Sequence, residues 1–329
     1  MRNRNNFLRV LNYHFGMPEE MTWSYLLFIS SIFTALFFAL KCALNKFELK
    51  IPTTSLVGFS IFMPIFILFT FVLPALLLCK KNSRALVGNY TGAGILVIAF
   101  LSGFPLMLVN TIFSNIVTWL FLRLGSKIVY PAFFFYSGTN TKAGAILSII
   151  TEGVIPAFGY SLFFYGILWS RFRHSQKKLA YLVIIVAYTL FSMDIIGFIA
   201  SIITAWWCTK LRDKTDGVYA PFLCMVSVKL WGLLLGGLVS RIDVYSVQTA
   251  SDIPSTYFYA ALPAILIAVI LIAFFTRTMD DYYYKYMGKE TIYDDLTLPS
   301  ITRNLNFGLI IAALIMITIW IFIAQGVHL

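Results

Sequence analysis

The sequence predicts an all-α protein, a polytopic membrane bundle of about nine spans with its N-terminus in the cytoplasm. Three observations predict it. Hydrophobic side chains make up 60% of the 329 residues and aromatics 17%. Charged residues make up only 12%, about half the share of a soluble globular domain. The apolar residues also fall in long runs, and nine spans of about 20 residues each would consume nearly all of them. A soluble enzyme, a disordered chain, collagen and a coiled coil are excluded by the same composition. The net charge of +11 reads as basic cytoplasmic loops and not as a nucleic-acid surface.

The spans follow in chain order. Thr22 to Leu44 is the first, and with no signal-like cleavage site after it, it reads as an uncleaved anchor. Ser55 to Cys79 is the second and contains Pro64 and Pro74. Gly94 to Leu122 is the third, where Pro105 is expected to bend or break the helix. Ala143 to Ser170 is the fourth and carries Glu152 and Pro156. Leu179 to Thr209 is apolar except for Asp194. Val218 to Val239, Tyr257 to Phe275 and Phe307 to Ala324 are the last three.

The interrupted stretch fixes the parity. Arg171, Arg173, Lys177 and Lys178 precede it, and Lys210, Arg212 and Lys214 follow it. Lys/Arg clusters mark the cytoplasmic face, so the chain crosses twice there and turns near Asp194. Each arm of about 15 residues is roughly 22 Å of helix, short of a core of about 30 Å. The turn is therefore expected below the outer surface, shielded by protein. The C-terminus then lies outside. On this topology 17 basic residues are cytoplasmic and 7 are outside. Thr276 to Asn306 becomes the largest cytoplasmic loop, with Tyr282, Tyr283, Tyr284 and Tyr286 at headgroup level or in a partner-docking surface.

Few side chains offer chemistry. Cys42, Cys79, Cys208 and Cys224 are isolated in or beside apolar runs, which indicates neither a zinc site nor a disulfide frame. His14, His174 and His328 lie in polar flanks or at the chain end. No metal or cofactor is expected. Glu152, Asp194 and Lys229 are the charges inside apolar runs, where each costs about 2.5 to 3.5 kcal/mol on insertion scales unless it finds a partner. Glu152 and Lys229 differ in depth by about 10 Å, within partial reach of a snorkelling lysine. They either pair across one polar cavity or reach water separately. Asp194 reads as a solvated turn residue. Gly232 and Gly236 form a small-x-x-x-small face, for internal packing or, in the sharper reading, a homodimer.

The fourth to seventh spans resemble the CPBP family, the CAAX-prenyl-protease-like and Abi intramembrane proteases. In that family a Pro precedes a Glu-Glu-x-x-x-Arg motif in an aromatic frame. Here Pro156 leads into Tyr160-Ser161-Leu162-Phe163-Phe164-Tyr165-Gly166. Lys214-Thr215-Asp216-Gly217 and the Pro221 that follows resemble the family's later turn. The resemblance implies a core at residues 94–240, between an N-terminal segment (1–93) and a C-terminal one (241–329). It also implies that the catalytic set has been replaced. Tyr160 and Ser161 stand at the paired Glu positions, and Tyr165 stands at the Arg. Asp194 falls near the first His, Met225 at the second, and Lys229 at the Asn. General-base and oxyanion roles need groups that titrate or donate there.

The expected function is therefore a non-catalytic scaffold or interaction subunit of a membrane complex, partnered by the bilayer and another integral membrane protein. A divergent intramembrane peptidase with Glu152 as base is the alternative. A small transporter or channel ranks third, because intramembrane charges are few and no repeat is evident. The Asn/Lys/Ile-rich flanks suggest a bacterial cytoplasmic membrane.

Overall fold

Runs of Leu, Ile, Phe and Ala supply no side-chain partners for peptide groups, so the backbone of each run satisfies itself as a helix. The computed structural model describes residues 22–46, 56–78, 87–88, 92–125, 142–169, 177–237, 239, 241–242, 247, 249–286 and 307–325. Among the described residues there are nine helices and no strand, only an isolated bridge between Gly88 and Gly217. The helices are α1 (Thr22–Lys46), α2 (residues 56–78), α3 (Ala93–Arg123), α4 (residues 142–168) and α5 (Lys177–Ser192). They continue as α6 (Phe198–Thr215), α7 (Tyr219–Leu235), α8 (Thr256–Tyr286) and α9 (Phe307–Ala324). His14, His174, His328, Cys79 and the loop bases Lys80, Lys81, Arg84, Arg171 and Arg173 lie outside the described residues.

Four helical stretches are long and apolar enough to cross a membrane: Ser24–Ala43, Ala93–Arg123, Gly144–Leu168 and Thr256–Tyr283. Ser60–Leu76, Lys178–Ser192, Tyr219–Leu235 and Gly308–Ala324 are shorter apolar helices. The outer face of α8 presents Leu262, Leu266, Val269 and Phe274 as exposed side chains. Such a patch suits lipid contact and would be a liability in water.

At the centre, α3 packs against α6, α7 and α8. α4 touches α2 on one side and α7 on the other, with α5 and α6 against its C-terminal half. α1 lies on α2 and pairs with α9, which also touches α5. Gly308, at the start of α9, packs against Ser24 and Phe28, at the start of α1, so these two helices run parallel. Phe71 of α2 joins three helices, its ring centroid 4.9 Å from Tyr160, 5.3 Å from Phe163 and 5.7 Å from Phe191. Aromatic pairs of this kind contribute about 0.5 to 1.5 kcal/mol each beyond area burial.

Proline placement explains the irregular turns. Pro74 and Pro156 lack an N–H for the carbonyl four residues earlier. In each case a π-helical turn lies just before or around that carbonyl, Leu68–Val72 in α2 and Ile149–Val154 in α4. α4 has a second π stretch, Ser161–Leu168. Pro105 does not break α3, which continues as one helix of 31 residues. The cost of one proline, about 3 kcal/mol, is carried by a helix that is packed on three neighbours.

The stretch around Asp194 forms a hairpin. α5 ends at Ser192, Met193 takes a left-handed φ of 48°, and α6 starts at Phe198. The Asp194 Oδ1 accepts the Gly197 N–H at 2.9 Å, a local bond that favours a turn over a continuous helix. At the other end of α6, Asp216 also adopts a left-handed φ of 52°, and its N–H bonds the Arg212 carbonyl. Val218 N–H then bonds Val87 O at 3.0 Å, so the α6–α7 turn is tied to the segment before α3.

One expectation is corrected. The loop assigned from Thr276 is helical as far as Tyr286, because α8 extends beyond its apolar run. Charge stabilises the extension: Asp280 is ion-paired with Lys214 at 2.9 Å and lies 4.0 Å from Lys210, while Lys214 Nζ stands 4.5 Å from the Tyr283 ring.

Candidate functional site

A polar cavity of about 150 Å³ opens between α3, α4, the α5–α6 turn and α7. Its lining includes Asn110, Glu152, Tyr160, Tyr188, Asp194, Ser201, Thr204 and Met225. Three of the six motif positions, Tyr160, Asp194 and Met225, come together here from three different segments. The π turn at Ile149–Val154 and Pro156 precede Tyr160 on α4, Asp194 heads the hairpin turn, and Met225 is two helical turns into α7. The Tyr160 and Tyr188 rings meet edge to face at 5.5 Å, and the Tyr188 hydroxyl donates to Met225 Sδ at 3.9 Å.

The other three positions do not line the cavity. Ser161 is buried, with no partner for its hydroxyl oxygen. Tyr165 is fully buried on another side of α4, and its carbonyl accepts Arg212 Nε at 2.6 Å. Arg212 is itself 2% exposed, although the sequence placed it in a loop. Lys229 is not a lining residue and donates to Glu152 Oε2 in an ion pair. Gly153 makes this approach feasible, because a Cβ there would stand 3.3 Å from Lys229 Cγ. The side chains of the pair are 32% and 20% exposed, so solvent screens part of their attraction. Glu152 Oε1 faces no partner and is buried.

Gly232 packs toward Met107 of α3 at 3.8 Å, whereas Gly236 meets only the carbonyl of Gly232. A closer α3–α7 approach is at Gly103, where Ser227 fills the space a side chain would need. Beside it, Trp207 Nε1 donates to Ser102 Oγ at 2.9 Å, and Cys224 Sγ lies 3.5 Å from the same oxygen.

Sequence reasoning missed Asn110, Tyr188, Ser201 and Thr204. A signal existed for two of them. Gly197, Ala200, Ser201 and Thr204 follow i, i+3, i+4, i+7 spacing, which puts a small and polar stripe on one face of α6. Chemically, the cavity offers carboxylate, hydroxyl and amide groups but no imidazole. Glu152 is engaged by the Lys229 ammonium. No group of three or more His, Cys, Asp or Glu able to hold a metal is present among the described residues.

No family model, no curated protein and no solved structure matches the chain.

Proposed function

We propose that the chain is a multi-pass integral membrane protein with a CPBP-like core whose hydrolytic centre has been replaced, acting as a non-catalytic scaffold or interaction subunit of a membrane complex. The observation that carries this reading is the convergence of Tyr160, Asp194 and Met225 on one cavity. These positions correspond, in the resembled family, to a carboxylate and two imidazoles. With a phenol, an aspartate and a thioether there instead, these three positions do not supply the carboxylate and two imidazoles that the resembled family uses for hydrolysis. The proposed setting is a bacterial cytoplasmic membrane, N-terminus inside. The parallel start of α1 and α9 supports an odd number of crossings between them. A second reading, a divergent peptidase, is favoured by one feature, two carboxylates on one cavity; the bond from Lys229 to Glu152 weighs against it.

The deciding experiment is purification in mild detergent with mass spectrometry of co-purifying proteins. A stoichiometric integral membrane companion is the expected result. A solitary protein that cleaves a peptide library, with cleavage abolished by Glu152→Gln, would overturn the proposal.

A further inference from the structure

α6 and α7 hold two cysteines that nothing above employs. Cys208 and Cys224 are both fully buried free thiols. They stand in separate apolar runs of the chain, and the packing of α6 on α7 makes them a pair. The Cys208 thiol meets the Cys224 thiol within hydrogen-bonding reach. The protons can be assigned. Ser102 gives its one hydroxyl proton to the Ala99 carbonyl at 2.8 Å and accepts Trp207 Nε1. Its remaining lone pair faces Cys224 Sγ at 3.5 Å, so Cys224 is the donor there. With the Cys224 proton committed to Ser102, Cys208 directs its own at the Cys224 sulfur. A polar route leads toward the pair. Tyr188 lines the cavity together with Met225, the neighbour of Cys224, and its hydroxyl donates to Met225 Sδ. The Tyr188 ring also lies 6.4 Å from that of Tyr165, whose hydroxyl stands beside Cys208. Tyr188 and Met225 are thus the partition between the cavity and the sulfurs.

We infer that Cys208 and Cys224 are a modification site, a dithiol that hydrogen peroxide converts to a disulfide linking α6 to α7. Free volume of roughly 10 to 15 Å³ admits one water, so the cavity of about 150 Å³ admits peroxide, which is hardly larger. In the first step one sulfur bonds a peroxide oxygen, the O–O bond breaks, and the departing hydroxide takes the thiol proton and leaves as water. In the second, the other sulfur attacks the sulfenic acid so formed. The S–S bond forms, the S–O bond breaks, and a second water carries away the second thiol proton. The sulfurs lose two electrons in all and the peroxide gains them. A lone buried thiol is inert or oxidises irreversibly, whereas a thiol with a resolving partner against it stops at the reversible disulfide. Beside a reducing cytoplasm such a bond is transient, as suits a sensor. The inference does not rest on the scaffold reading and would hold equally for a peptidase.

The test exposes the full-length protein in nanodiscs to hydrogen peroxide, quenches with catalase, unfolds it in N-ethylmaleimide and maps its peptides by mass spectrometry. The expected product is one peptide pair joined through Cys208 and Cys224. Both thiols should lose their maleimide labels together and regain them after a phosphine reductant. Cys208→Ser and Cys224→Ser should each abolish the joined pair. Oxidation should also slow amide hydrogen exchange across residues 208–224, because the crosslink holds the hairpin closed. Cys42, half-buried on α1, serves as the internal standard. Undiminished labelling of Cys208 and Cys224 at peroxide doses that oxidise Cys42 would refute the inference. So would irreversible oxidation of either sulfur without the joined peptide. Both refuting results are read on the unsubstituted chain, so a serine variant that fails to fold does not blunt the test.

Discussion

Lys229 and Glu152 show how one contact governs two side chains that neither helix could hold alone. Breaking a buried pair costs about 3 to 5 kcal/mol. This one is partly exposed, so about 2 kcal/mol is expected for Lys229→Met after discounting for screening. Adding Glu152→Gln should restore most of the loss, since the stranded carboxylate is then gone; thermal unfolding of the single and double variants in detergent measures both. Arg212 makes a second such case. It is buried against the Tyr165 carbonyl and 3.8 Å from Asp216. Arg212→Met should destabilise by about 2 to 3 kcal/mol, the cost of orphaning buried polar partners, and more than the same change at exposed Arg277. The three charges inside apolar runs were legible because each interrupts a pattern. Arg212 was not, because a basic residue next to Lys210 and Lys214 reads as loop whether or not its guanidinium turns inward.

Helix ends and helix irregularities separate what local sequence determines from what packing decides. The α5–α6 turn was legible because Asp194 is the single charge in a long apolar run and its carboxylate bonds the turn backbone. The π turns were not, since proline signals a lost bond but not how the helix absorbs it. The extension of α8 was hidden for a related reason. Apolar periodicity stops near Phe275, but helix continues while Asp280 holds Lys214. Asp280→Asn should raise amide hydrogen exchange across residues 276–286 and leave α6 nearly unchanged. Overall stability should fall by less than about 1 kcal/mol, since the pair is partly exposed. Unaltered exchange in that segment would show that the aromatic contacts alone hold it.

At the scale of the whole molecule, the fold is a set of pairings between helices distant in sequence, and these were the least legible. Composition and charge bias give the number of helical runs and an orientation for each, but nothing in a run of leucine and isoleucine states its neighbour. The proposed orientation is testable directly. In a variant otherwise free of cysteine, Ser251→Cys should react with an impermeant maleimide on intact cells, and Asp281→Cys only after the membrane is opened. The reverse pattern would invert the topology.

The pairing of α1 with α9 bears on how the protein is made. The ribosome releases α1 well before α9, so the flank that α9 will cover stays unmatched until α9 emerges. During that interval a chaperone, or the insertion machinery itself, has to guard it. A chain truncated before residue 307 should therefore be degraded quickly, even though every helix around the cavity has already been translated.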